Sequence, residues 1–152
     1  MGDQRGVVGI GYEGREIGEF IRVLLAEEVT IVVDVRLNAL SRKRGFSKNG
    51  LRAALAEADI EYFHRPALGN PRENRDGFAV PGSRAGDAAR SVYGEILRAP
   101  TAEKALHEVA TLARSRRVAV MCFESDQHAC HRELVIESLE SQLNERLRPV
   151  SI

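Results

Sequence analysis

The chain has 152 residues, 43% of them hydrophobic and 29% charged, and its formal net charge is zero. That length supports one domain with a real core, and the composition is that of an ordinary globular protein. No apolar run is long enough to span a bilayer, and the first residues lack the basic-then-apolar layout of a signal peptide. Zero net charge gives no global signature of nucleic-acid binding. We therefore expect a cytoplasmic protein with no membrane partner, whose two cysteines are free rather than bridged.

In chain order, Val7–Ile10 reads as a short buried strand leaving into the Gly-rich turn Gly11, Tyr12, Glu13 and Gly14. Ile17, Phe20, Ile21, Leu24 and Leu25 then fall on one helical face. Thr30–Val35 is β-branched and predicts a second strand ending in Asp34 and Arg36. A basic loop, Leu37 to Gly45, follows. Ser47 is the expected cap of the next helix, with Phe46 and Leu51 as its hydrophobic staple. Ile60–His64 is a third strand, and Arg65 to Arg84 reads as a long loop rich in Pro and Gly. Two helices follow, about Ala85–Leu97 and Ala102–Arg114, the second capped by Thr101. The strand Val118–Phe123, an acidic turn with Glu124 and Asp126, and a helix from about Ala129 to Asn144 come next. Leu147–Ile152 is a candidate closing strand.

This alternation predicts a single α/β domain over residues 1–152, with a central, mostly parallel sheet of about four or five strands and helices on both faces. Right-handed crossovers place the strand-to-helix loops at one edge, where ligands of such sheets bind. Tyr12, Asp34, Arg36, His64, Glu124, Cys130, His131 and Arg132 all lie at or just after strand ends. Cys130 near a helix N-terminus and beside Arg132 would favour its thiolate. It then reads as a nucleophile served by His131 or Glu124, as a member of an anion site, or as a packed core thiol. Cys122, inside an apolar strand, reads first as core. The two cysteines with nearby histidines also suggest a metal site, but their spacing matches no dependable zinc pattern, and the expected metal is none.

Charge is unevenly spread. Arg36, Arg42, Lys43, Arg44, Lys48 and Arg52 follow one another with no acidic residue between them. Such a run is either a solvated face or, with Tyr12 and Phe46 available for stacking, the rim of a nucleotide site. Gly9, Gly11 and Gly14, with Asp34 further on, fit the dinucleotide-binding spacing. A domain of this length lacks the second mononucleotide-binding half, so no cofactor is expected.

The motifs GIGYEGR (Gly9–Arg15), DVR (Asp34–Arg36), SRKRGFSK (Ser41–Lys48), ALGN (Ala67–Asn70) and CFESDQHACHR (Cys122–Arg132) occur in this order. On these residues the chain resembles the domain-of-unknown-function 488 family over nearly its whole length. The resemblance implies a single α/β domain with a site built from Tyr12, Asp34, Arg36, Ser41, Arg42, Gly69, Cys122, Glu124, Cys130, His131 and Arg132. It implies no reaction. Two prolines usual in the family are missing: Ala39 stands at one position, and His128 occupies the region of the other.

The leading expectation is an enzyme acting on a phosphorylated ligand, a nucleotide or nucleic acid. Arg36, Ser41, Arg42, Arg132 and Asp34 would form its phosphate-binding set, and Cys130, His131, Glu124 and Tyr12 its catalytic set. One alternative is a non-catalytic nucleic-acid-binding module using the Arg36–Arg52 segment. A second is a thiol-redox or metal-binding protein.

Overall fold

The computed structural model of the protein describes residues 5–144. Ten elements follow in order: β1 (Gly6–Gly11), α1 (Ile17–Ala26), β2 (Ile31–Asp34), α2 (Lys48–Glu57), β3 (Glu61–His64), α3 (Arg75–Phe78), α4 (Arg84–Leu97), α5 (Pro100–Ala113), β4 (Arg117–Cys122) and α6 (Arg132–Leu143). The four strands form one sheet in the order β1-β4-β2-β3, and every pairing is parallel. The expected closing strand at Leu147–Ile152 lies outside the described residues.

Alternation along the strands explains the layers. Val8, Ile10, Val32, Ala119 and Met121 face one side, where they meet Phe20 and Leu24 of α1 and Leu51 and Leu55 of α2. Val7, Ile31, Val33, Val118 and Val120 face the other side and pack on α4, α5 and α6. Both faces are covered, so the strands are apolar almost throughout, as a parallel sheet requires. Each fully buried Leu or Phe at these contacts contributes roughly 2 kcal/mol.

Local details differ from the sequence reading. Pro100 opens α5 with Ala99 at its N-cap, because proline suits the first helical position, so Thr101 is not the cap. Ser47 does precede α2, but its hydroxyl accepts from Ser41 N and donates to Ser41 O, tying down the basic loop instead of capping the helix. The stretch Arg65 to Arg84 is not an open loop. It holds two short 3-10 turns and α3, with Leu68 and Phe78 buried.

Candidate functional site

Asp34 ends β2 with no exposure to solvent. Such a carboxylate needs several donors, and it has them. Arg36 reaches it through Nε (2.9 and 3.1 Å) and Nη2 (2.7 Å), its backbone N–H adds a bond of 3.1 Å, and the Tyr62 hydroxyl donates at 2.6 Å. Burial alone would lower the pKa of Arg36, but hydrogen bonding and charge attraction from Asp34 outweigh it and raise it. Arg36 Nη1 also donates to the Tyr12 hydroxyl at 3.3 Å. The Tyr12 ring is itself stacked on Phe46 (centroids 4.4 Å apart) and edge-on to Phe123. Its face is therefore covered, and its hydroxyl is the group left for a ligand.

Across the edge from this network stands the Cys-His-Arg corner. Gln127–Ala129 forms a 3-10 turn and α6 begins only at Arg132, with His131 as its N-cap. Cys130 thus lies just before the helix rather than inside its first turn. His131 Nε2 is 2.8 Å from the Val35 carbonyl oxygen, which only accepts, so Nε2 carries the proton and Nδ1 is the open lone pair. Nδ1 lies 3.7 Å from Cys130 Sγ. Burial pushes the His131 pKa down to about 4; the Val35 bond opposes this, while Arg75 and Arg132 add to it. The imidazole is neutral near pH 7.

The two cysteines, expected to be free, are paired. Their sulfurs are in bonding contact, while their Cα atoms stand 7.6 Å apart. Arg132 has no solvent exposure. Its Nη1 donates to Cys122 Sγ at 3.1 Å and to Glu124 O at 2.6 Å, and its Nη2 donates to Ser125 O at 3.3 Å. Burial lowers its pKa to about 10, against the attraction of Glu124 and Asp126. This arginine holds the loop after β4 and touches a sulfur. It is not turned out as a phosphate fork. Gly11 makes that loop position possible, since a Cβ there would collide with the Glu124 carbonyl oxygen.

Both networks border one cleft of about 160 Å³, lined among others by Tyr12, Arg36, Cys122, Glu124, Cys130 and His131. So four expected catalytic residues (Tyr12, Glu124, Cys130 and His131) share a cleft, and Arg36 joins them. Asp34 supports Arg36 from beneath. Ser41 and Arg42 do not line the cleft. Ser41 Oγ accepts from Lys43 N, and Arg42 is exposed on the basic loop. Sequence reading missed Arg75, Asn38 and Asn70, which also line the cleft. Arg75 and Asn70 lie in the stretch taken for loop. Only the ALGN motif, which ends at Asn70, pointed toward them.

With this geometry established, comparison with known proteins places the chain in a family. The family described as "Domain of unknown function DUF488" matches residues 16–139, and the chain belongs to it. The match spans the DVR, SRKRGFSK, ALGN and CFESDQHACHR motifs and begins after Tyr12. No curated protein and no solved structure matches the chain. Among the described residues, no helix is long and apolar enough to cross a membrane.

Proposed function

We propose that the protein is an enzyme acting on a small phosphorylated ligand, a nucleotide or the end of a nucleic acid, bound in the cleft at the carboxyl edge of the sheet. The observation that supports this most is the joint lining of one small cleft by Arg36, Arg75 and the Cys130–His131 pair. Arginine is the residue suited to phosphate oxygens. Asp34 and Tyr12 fix Arg36 in place, leaving an N–H on each terminal nitrogen for a ligand. Arg75 supplies a second cation from α3. Opposite them, neutral His131 offers Nδ1 as a hydrogen-bond acceptor to the Cys130 thiol in its dithiol form, but its lowered pKa makes it a poor base, so the thiol proton must leave to another group. Glu124, on the cleft wall, is the group available to pass protons onward. A reducing compartment such as the cytoplasm suits a site that needs free thiolate.

The test is direct. Under reducing conditions, calorimetry with inorganic phosphate and with a panel of mononucleotides should show binding that weakens at least about tenfold in Arg75→Ala. Turnover of the bound nucleotide should disappear in Cys130→Ser, with the circular dichroism of the wild type retained. Equal affinity in Arg75→Ala would remove the phosphate reading. Binding confined to long nucleic acids, with a steep salt dependence, would instead favour a non-catalytic module built on the exposed Arg42, Arg44 and Lys48.

A further inference from the structure

We propose that Cys122, Cys130 and His131 form a binding site for one thiophilic divalent ion of the zinc class, with the remaining coordination position open to the cleft. This rests on the enzyme reading only for the ligand in that cleft, and it replaces the free Cys130 thiolate of that reading with a metal-bound one.

The donor atoms are already assembled. Cys122 Sγ, Cys130 Sγ and a His131 ring nitrogen all lie within 4.8 Å of one another. Zinc sits about 2.3 Å from thiolate sulfur and about 2.0 Å from imidazole nitrogen, so donors around one ion stand no more than about 4.6 Å apart. In the dithiol form the sulfurs, in bonding contact here, must part to the roughly 3.7 Å that separates two thiolates on one tetrahedral ion. The backbone spacing favours an ion over a direct sulfur–sulfur link. The Cα atoms are 7.6 Å apart, whereas disulfides ordinarily span about 4.4–6.8 Å. An atom placed between two thiolates accommodates the wider span.

The surroundings suit a coordinated ion. His131 Nε2–H is held by the Val35 carbonyl at 2.8 Å, which aims Nδ1 at the sulfurs. A backbone carbonyl on the far nitrogen is the usual arrangement of metal-bound histidine. Arg132 Nη1 donates to Cys122 Sγ at 3.1 Å, a bond that steadies a thiolate. In the dithiol form, binding expels two thiol protons, and the resulting ion with two thiolates is neutral. A neutral set costs far less to bury than two thiolates alone. Soft sulfur donors select zinc-class ions over magnesium or calcium. Three protein donors with one position facing a cleft is the pattern of catalytic rather than structural zinc, and Cys122, Cys130 and His131 all line the cleft. The ion would polarise an oxygen of the ligand there. Cys130 then serves as a metal ligand and not as the attacking group.

The experiment uses the full chain, stripped with a chelator under a non-thiol reductant and titrated with cobalt(II) and zinc(II). One ion per chain is expected, with thiolate-to-cobalt charge-transfer absorption and the intense visible bands of a four-coordinate site. Cys122→Ser, Cys130→Ser and His131→Ala should each weaken binding more than about a hundredfold, since even outer-shell partners are worth about 10–100-fold. His128→Ala, at an exposed residue outside the cluster, should not change affinity. If a cysteine variant does not fold, the wild-type cobalt spectrum decides alone, because charge-transfer absorption requires thiolate ligands. Absence of that band, or Cys130→Ser binding cobalt as the wild type does, overturns the proposal. Phosphate binding in the metal-free protein, measured with Arg75→Ala, is a separate readout, so either reading can fail without the other.

Discussion

His131 Nε2 donates to the Val35 carbonyl oxygen at 2.8 Å, joining the start of α6 to the end of β2 across 96 residues of chain. One bond fixes the tautomer, the ring orientation and the distance between the two halves of the cleft. Burial of the same ring makes the protein acid-sensitive. The folded His131 pKa, lowered by burial to about 4, lies below the ordinary value of 6.5. Between those values the unfolded chain binds the proton that the folded protein refuses. Stability from this group is therefore complete above pH 6.5 and is lost as pH falls toward 4. The loss amounts to about 3 kcal/mol. Denaturant titrations of the metal-free protein at pH 7 and pH 4 check it, and His131→Asn should flatten that part of the profile.

Asp34→Asn should be among the most destabilising single changes at the site. It keeps the shape but removes the charge that Arg36 and Tyr62 converge on, leaving a guanidinium buried without its counter-ion. A loss of about 3 kcal/mol is expected, a fall of about 10 °C in melting temperature. Tyr62→Phe removes one donor and should cost about 1–2 kcal/mol.

Gly11→Ala tests the close approach of β1 to the loop after β4. The added methyl meets the Glu124 carbonyl oxygen, which is rigid backbone held by Arg132. We expect a loss of about 2–3 kcal/mol, with weaker ligand binding as Glu124 shifts. Gly94→Ala, in the middle of α4, meets nothing within 4 Å and should add about 0.5–1 kcal/mol. Chemical denaturation of the two variants side by side separates packing from backbone entropy.

Arg132→Lys keeps the charge but loses the planar fork that spans Cys122 Sγ and two backbone carbonyls. An ammonium cannot satisfy all three, so a loss of about 2–3 kcal/mol is expected. Hydrogen exchange should show faster opening in the Glu124–Cys130 segment, while β2 and β3 stay protected.

The layout of the sheet was readable because both faces of each strand are buried, which writes continuous apolar runs into Val7–Ile10, Thr30–Val35 and Val118–Phe123. The gathering of Tyr12, Arg36, Glu124, Cys130 and His131 followed from strand ends sharing one edge. Side-chain direction was not readable. Arg132 and Arg42 carry the same charge, yet one turns inward to backbone carbonyls and the other sits on an exposed loop. Arg75 was missed because its placement depends on Phe78 and Leu68 anchoring a segment with no clear period. The pairing of the sulfurs depends on a strand end meeting a loop eight residues later, and spacing alone does not specify that encounter.

Among the described residues the last strand, β4, sits between β1 and β2. Until it arrives, the first strand has no neighbour in the sheet to bond to. An emerging chain can pair β2 with β3 on the ribosome, but Tyr12 and Arg36 remain strangers until more than a hundred residues have been made. Assembly of the cleft is thus a closing event of synthesis, slowed by the long sequence separation between β1 and β4. A nascent polypeptide truncated before Arg117 should hold neither the cleft nor its ligand.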